Sequence, residues 1–153
     1  MRHLCLRVAG VAGVVMALCA SHASALAAEA NAQDKNALEY RRHLMITLNE
    51  QSGALGMILS GTIPNGDAAA HLEAIALAAS YATKAFTPHV EGGEARPEVW
   101  TKWADFSKRM DEFARKTAAV AKTVREKGPQ GVNVLDALAC KACHDLYRDE
   151  TKR

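Results

Sequence analysis

The chain has 153 residues and a formal net charge of +2 at pH 7. This length fits a single domain, because one hydrophobic core commonly serves about 100 to 200 residues. With 19 lysines and arginines against 17 aspartates and glutamates, the chain lacks the basic surface typical of nucleic-acid-binding proteins.

Residues 1–27 have the pattern of a secretory signal peptide, in which a basic start precedes an apolar run and a small-residue cleavage site. The three parts are Arg2, His3 and Arg7; Val8 to Ala20; and Ala23-Ser24-Ala25 or Ala25-Leu26-Ala27. We therefore expect cleavage near residues 25–27, export to the periplasm, and a mature domain that spans residues 28–153.

A membrane anchor and a lipoprotein are the alternatives for this segment. The apolar run is shorter than the roughly 20 residues that a helix needs to cross a bilayer. Leu18, which precedes Cys19, is not the small residue expected before a lipidated cysteine. The mature protein is thus not expected to be embedded in a membrane.

Cleavage would remove Cys5 and Cys19, and the remaining Cys140 and Cys143 are too few for a disulfide framework.

Apolar residues at alternating steps of three and four predict two helices in the first half of the mature chain. The first lies between Asn31 and Gly61, with inward positions Leu38, Arg41, Met45, Leu48, Ser52, Leu55 and Leu59. Turn residues at 62–66 end it, and Asp67 suits the N-cap of the second helix. That helix is expected to reach about Thr87, with inward residues Ala68, Leu72, Ile75, Ala79, Ala82 and Phe86.

Two further helices are predicted after a polar, glycine-rich connection at residues 88–96. Pro97 suits the first position of the third helix, whose pattern is Val99, Trp103, Phe106, Met110, Phe113, Thr117, Val120 and Val124. After a break at residues 128–131, the last helix carries Val134, Leu135, Leu138, Cys140, Cys143 and Tyr147. Four helices with short links predict an all-α fold, an antiparallel four-helix bundle.

The segment Cys140-Lys141-Ala142-Cys143-His144 matches the attachment pattern of c-type haem. In this pattern each thiol forms a thioether with one vinyl group of the porphyrin, and the adjacent histidine supplies an axial nitrogen to the iron. Positions 140, 143 and 144 share one side of a helix. The sequence therefore predicts one covalently bound haem c, with His144 as the proximal iron ligand.

Three alternatives compete for the two cysteines. A zinc site would need further ligands, and His43, His71 and His89 do not lie at a recognisable spacing. A thioredoxin-like dithiol would be expected in a strand-containing context, which the pattern lacks. The third alternative is a chance pair in a helix, although the export signal and the adjacent histidine argue against it.

Two residues of the first helix are candidates for haem contacts. Arg41 occupies an inward position, and a core-facing arginine needs an anion, for which a haem propionate would serve. Met45, one turn later, could give its thioether to the iron as sixth ligand, or it could fill space beside an open iron.

With the haem motif at the end of four helices, the mature chain resembles the cytochrome c′ family, the class II c-type cytochromes. Three segments carry the resemblance: Tyr40-Arg41 with Met45; Gly92-Gly93-Glu94-Ala95-Arg96-Pro97-Glu98-Val99-Trp100; and Cys140-Lys141-Ala142-Cys143-His144-Asp145-Leu146-Tyr147-Arg148. One departure is the lead-in at residues 132–139, which is shorter than is usual in the family and lacks its aromatic residue.

The resemblance implies a haem near one end of the bundle, with Arg41 near a propionate and Met45 on the distal side of the iron. It also implies that Arg148 lines the proximal pocket, that Arg42, Glu94 and Arg96 contact the haem edge, and that the protein forms homodimers through its first two helices. Gly53 and Gly56 would permit close packing at such an interface.

We expect a periplasmic one-electron carrier rather than an enzyme, because an enclosed haem c without a candidate general acid or base is suited to Fe(III)/Fe(II) cycling. Its redox partner protein is not identifiable from the sequence. The alternative is a five-coordinate haem protein that binds nitric oxide or carbon monoxide. Peroxide chemistry is a third function, which the sequence does not support because no distal histidine or acid is predicted.

Overall fold

The computed structural model describes residues 11–130 and 132–152, and for residues 11–27, 135 and 137 it describes the backbone alone. Arg2, His3 and Arg7 of the predicted signal and Gly131 of the predicted turn lie outside the described residues. The chain divides into one unit that ends at Asn36 and a second that begins at Ala37. In the first unit the chain is helical from Val11 onward, and the side chains of residues 28–36 are exposed.

The second unit contains the four-helix bundle. In chain order the helices are α1 (Val11–Leu59), α2 (Ala68–Phe86), α3 (Glu98–Thr101), α4 (Trp103–Lys127), α5 (Val134–Ala137) and α6 (Cys140–Tyr147), followed by a 3₁₀ turn at Glu150–Lys152. The bundle is formed by α1 from Ala37 onward, by α2, by α3 with α4, and by α5 with α6. The all-α prediction is confirmed, since the described residues contain only helices, turns and a single isolated β-bridge.

Helix α2 has the predicted bounds and the predicted buried face. Its N-cap is Asp67, whose carboxylate accepts a hydrogen bond from the backbone N–H of Ala70 at 2.9 Å. This bond satisfies one of the free N–H groups at the start of a helix, and it also lowers the pKa of Asp67. The six predicted inward residues are all buried: Ala68, Leu72, Ile75, Ala79, Ala82 and Phe86.

The third predicted helix is interrupted, which corrects the expectation of one continuous helix from Pro97. Lys102, with φ −119° and ψ 38°, separates α3 from α4. Trp100, which lies off the α4 stripe, packs half-buried against the core, and its indole N–H donates to the carbonyl of Phe86 at 3.0 Å. The predicted stripe is otherwise confirmed, with Phe106, Met110, Thr117 and Val124 buried on α4.

The last predicted helix is also interrupted, between α5 and α6. Ala139 has φ −68° and ψ 53°, and the N–H of Cys140 donates to the carbonyl of Leu138 at 2.6 Å. These values describe an inverse γ-turn. The haem motif therefore begins a new helix of its own, instead of continuing the short lead-in.

Two hydrophobic clusters make up the core of the bundle. The aliphatic cluster consists of the buried residues Leu55, Ala68, Ala69, Leu72, Ile75, Ala121, Val124 and Val134. The aromatic cluster consists of the buried residues Ala82, Phe86, Val99, Phe106, Met110 and Tyr147. Since only the aromatic cluster includes a residue of α6, the haem motif lies at that end of the core.

Within the described residues, no helix combines the length and the apolar character needed to cross a membrane.

Candidate haem site

The two cysteines and the histidine of the motif lie together on α6, as the sequence predicts. Cys140 is the first residue of this helix and is exposed, whereas Cys143 and His144 are half-buried. The side chain of Cys143 packs against the aromatic cluster. Both thiols are free within the described chain, so they are chemically available for thioether bonds.

The environment of the thiols bears on the alternatives to haem. Burial raises the pKa of Cys140 and of Cys143, whereas a reactive dithiol depends on a lowered pKa. The described residues also contain no group of three or more His, Cys, Asp or Glu side chains that could hold a metal ion. The geometry thus favours neither a redox-active dithiol nor a zinc ligand set.

The aromatic cluster provides an apolar wall beside Cys143. Met45 and Leu44 of α1 pack against this cluster, as do Trp100 and Trp103. The structure therefore brings the predicted distal residue and a predicted attachment cysteine to the same cluster, although about a hundred residues separate them in the chain. Two thiols and an imidazole on one short helix, faced by apolar side chains, fit a covalent haem c.

Arg41 is 4% exposed and makes a more extensive set of contacts than the sequence suggests. Its Nε donates to the carbonyl of Ala85 at 2.9 Å, and its two terminal nitrogens donate to Pro88 at 2.6 Å and Val90 at 2.5 Å. Its guanidinium also lies 5.0 Å from the ring centroid of Phe86 and 5.1 Å from that of Trp100. The buried charge is thus satisfied by carbonyls in the last turn of α2 and in the connection that follows it. A propionate contact remains a prediction.

The connection at residues 88–96 is tied to the end of α6. Ala95 and Arg148 form an antiparallel β-bridge, and Glu94 accepts a hydrogen bond from Nε of Arg148 at 2.6 Å. Arg96 donates through NH1 to the carbonyl of Asp145 at 3.1 Å. Two residues predicted to contact the haem, Glu94 and Arg148, therefore pair with each other, and a third, Arg96, is bonded to the same helix end.

Gly92 shows why this connection is rich in glycine. Its φ of +131° is one that L side chains rarely adopt, and an added Cβ would lie 3.2 Å from the side chain of Leu38 on α1. The close approach to α1 depends on the missing side chain. Arg42 is placed apart from these contacts, since its side chain is 65% exposed and pairs with Glu39 at 3.7 Å.

Asp105 and Arg109 were missed by sequence reasoning. The hydroxyl of Tyr147 donates to Asp105 Oδ2 at 2.5 Å, and Nε of Arg109 donates to the same oxygen at 2.6 Å. The spacing of four residues between Asp105 and Arg109 could have indicated the ion pair. The link to Tyr147, which lies 42 positions away, has no signal in the local sequence.

Together the bundle and the motif define a class of protein, a c-type cytochrome of the four-helix type. The family model for cytochrome c′ matches residues 36–148. The cytochrome c′ of Alcaligenes xylosoxydans xylosoxydans is 31% identical over 124 residues, which cover 76% of this chain and 96% of that protein. Cytochrome c-554 of Cereibacter sphaeroides is 30% identical over 129 residues, which cover 77% and 96%.

Solved structures agree with these matches. Cytochrome c prime from Shewanella frigidimarina has a TM-score of 0.65 and 28% identity, and the match covers 76% of this chain and 97% of that one. A nitric oxide complex of a mutant of cytochrome c prime from Alcaligenes xylosoxidans has a TM-score of 0.66 and 26% identity, with coverage of 76% and 96%. The chain belongs to the cytochrome c′ family and, as a member, binds one covalent haem c.

Proposed function

We propose that the protein is a periplasmic one-electron carrier in which Cys140 and Cys143 hold the haem and His144 is the proximal ligand. We further propose Met45 as the distal ligand. The observation that carries this proposal is that Met45 and Cys143 pack against the same aromatic cluster. The haem would supply the Fe(III)/Fe(II) couple, and thioether ligation raises the reduction potential of such a couple.

The chain's own residues support this role by excluding water from one side of the site. Leu44, Trp103 and the buried Phe106 are apolar, and they line the cluster beside Met45. A low local dielectric and a fixed ligand both reduce the reorganisation that accompanies electron transfer, since few dipoles must turn when the charge changes. The apolar setting beside Met45 thus suits a carrier.

A second candidate function is the capture of nitric oxide or carbon monoxide on five-coordinate iron. The observation that favours it is that a solved structure with the same fold is a nitric oxide complex of cytochrome c prime. In this case Met45 would pack beside the iron without a bond to it. The two functions differ in whether the sulfur of Met45 occupies the sixth position.

The visible and EPR spectra of the ferric protein distinguish these functions. The carrier proposal expects low-spin iron with a methionine-to-iron charge-transfer band that Met45→Leu abolishes. The matched control is Met57→Leu on the same helix, where the side chain is 47% exposed, and it should leave the band unchanged. A wild type that is high-spin in the ferric state, and that binds carbon monoxide in the ferrous state as rapidly as Met45→Leu, would overturn the carrier proposal in favour of gas capture.

We also propose that the protein is not an enzyme. The apolar side chains of α1 that pack against the aromatic cluster, Leu44 and Met45, carry no group that can transfer a proton, and the buried Arg41 directs its N–H groups to backbone carbonyls. General acid–base assistance is what peroxide cleavage at a haem requires. Peroxidase turnover above that of free haem would contradict this proposal.

Export to the periplasm is the proposed location. The family match begins at residue 36 and so leaves the apolar segment of the predicted signal peptide outside it. Mass spectrometry of the protein purified from the periplasm should give an N-terminus near Ala28. A protein that retains residues 1–27 would contradict cleavage.

We propose a homodimer formed through α1 and α2. Large apolar side chains are exposed on both helices: Ile46, Met57, Leu77 and Tyr81. Apart from neighbouring residues of α1 itself, none of the described residues lies within 4 Å of a Cβ built on Gly53 or Gly56, so a second helix could approach there. Sedimentation should give a dimer that Leu77→Lys converts to a monomer, whereas Ile63→Lys, in the exposed turn, should not. A monomeric wild type would contradict the proposal.

A further inference from the structure

Tyr147 is the residue through which the haem helix is buried. It is 5% exposed, and it is the buried residue of α6. Its ring makes an edge contact with Phe106 of α4 at 5.2 Å between centroids. Its hydroxyl donates to the carboxylate of Asp105. The side chain therefore connects α6 to α4 by both an apolar and a polar contact.

Helix α6 needs such a connection. It has eight residues, and its N-cap is Ala139, whose methyl group cannot accept a hydrogen bond from the free backbone N–H groups. Isolated helices shorter than about 12 residues are marginal in water, so the position of α6 depends on its tertiary contacts. Cys143 lies four residues before Tyr147 and His144 lies three before it, so all three share one side of the helix. A shift of Tyr147 would therefore move both haem-binding side chains.

Asp105 and Arg109 place two opposite charges next to this helix. The ion pair is half-exposed, with 42% of the Arg109 side chain and 48% of the Asp105 side chain accessible. The hydrogen bond from Arg109, and after it that from Tyr147, lowers the pKa of Asp105. Burial raises the pKa of Tyr147, and Asp105 adds to this effect. At neutral pH the carboxylate is thus charged, and the phenol keeps its proton.

The ion pair lies beside the predicted attachment site. Phe106 and Met110, which directly follow Asp105 and Arg109 on α4, belong to the aromatic cluster against which Cys143 packs. A thioether at Cys143 would keep the haem in the field of this pair. Ferric haem carries one more positive charge than ferrous haem, so the carboxylate favours the ferric state and the guanidinium favours the ferrous state.

We propose that Tyr147, Asp105 and Arg109 are positioning residues for the haem. Tyr147 fixes the haem helix on α4, and the two charges bias the reduction potential in opposite directions. This inference rests on the proposed attachment of haem through Cys140 and Cys143. A role in packing alone would affect stability and would not predict opposite shifts.

The test compares reduction potentials of the holoprotein at low ionic strength. Asp105→Asn should raise the midpoint potential, and Arg109→Gln should lower it. Both shifts should shrink in high salt, because the groups are half-exposed. The control is Glu126→Gln, which makes the same change of net charge as Asp105→Asn, but on an exposed residue near the other end of α4, and it should leave the potential unchanged. Shifts of equal sign for the two variants, or none beyond the control, would overturn the inference.

Tyr147→Phe keeps the ring and removes only the hydrogen bond. We expect the paramagnetically shifted proton resonances of the His144 ring and of the Cys143 thioether to move, with haem still attached. Unchanged resonances would overturn the positioning role of the hydroxyl. A wild-type protein without covalent haem would instead contradict the proposed attachment site, so the two failures are distinguishable.

Discussion

The two clusters of the core are formed by helices of different length. The aliphatic cluster is formed mainly by the long helices α1, α2 and α4. An ion-pair network joins the ends of two of them, since Arg125 contacts Asp67 at 2.7 Å and Glu73 at 2.9 Å. The aromatic cluster instead includes residues of α3 and α6, which have four and eight residues, and it is bordered by the connection at residues 88–96.

The difference indicates where the cofactor matters for stability. Long amphipathic helices that bury aliphatic side chains are stable through their own packing. Short helices are not. At the aromatic end they depend on contacts such as that of Arg41 with Trp100 of α3 and that of Glu94 with Arg148 at the end of α6. We therefore expect the aromatic end to be the less stable part until haem is attached, and the aliphatic end to be nearly independent of it.

The largest effect is expected when both attachment cysteines are replaced. Cys140→Ala/Cys143→Ala should abolish covalent haem, as measured by mass spectrometry and by the haem absorbance that remains after extraction. Hydrogen exchange should then accelerate in α6 and in residues 88–96, because the haem no longer orders them. The amides around Leu72 should keep their protection.

The control for this variant is Cys19→Ala, which changes a cysteine of the predicted signal peptide. It should leave both the mass and the haem content of the mature protein unchanged. Equal acceleration of exchange at both ends of the bundle would contradict the comparison.

Replacement of Arg41 tests the polar contacts at the aromatic end. Arg41→Met should remove the partner of three carbonyl groups, each of which costs about 1–3 kcal/mol if it stays buried and unpaired. We expect the free energy of unfolding to fall by about 3 kcal/mol or more in a denaturant titration. The neighbouring Arg42→Met removes the same charge from an exposed position and should have little effect. Equal losses for the two variants would show that net charge, and not the carbonyl contacts, is responsible.

Leu72 provides the corresponding test at the aliphatic end. It is fully buried, and Leu72→Ala should lower the free energy of unfolding by about 2–5 kcal/mol because it leaves a cavity. Ile63→Ala, in the turn after α1 and 45% exposed, is the control outside the proposed dimer interface and should cost little. Neither variant should alter the visible spectrum of the haem. A spectral change with Leu72→Ala would mean that the two ends are coupled.

Sequence reasoning was most successful where the helices are regular. The spacing of three and four residues predicted α2 with its cap Asp67. It also predicted the inward face of α1, which includes the buried Leu55. Periodicity identifies a buried face because each position depends only on the residues one turn away.

The interruptions at Lys102 and Ala139 were not predictable in this way. Neither position is a glycine or a proline. Beside the first, Trp100 donates to Phe86 of another helix, and beside the second, Cys140 closes a tight turn on Leu138, and neither contact has a signal in the periodicity. The partners of Arg41 were likewise not predictable from the sequence. The inward position of the charge indicated that it needed a partner, but the path of residues 85–90 decides that the partner is a set of carbonyls.

The smallest effect is expected at Thr117, which lies on α4 between Met110 of the aromatic cluster and Ala121 of the aliphatic cluster. Its side chain is fully buried, and its hydroxyl has no hydrogen-bond partner in the described part of the chain. A buried hydroxyl without a partner is unfavourable, so Thr117→Val, which keeps the shape, should raise the free energy of unfolding by about 1 kcal/mol. Thr123→Val is the control, since Thr123 donates to the carbonyl of Ala119 at 3.1 Å and should gain nothing. A loss of stability with Thr117→Val would mean that a buried water bridges the hydroxyl, and the junction between the two clusters would then be polar rather than dry.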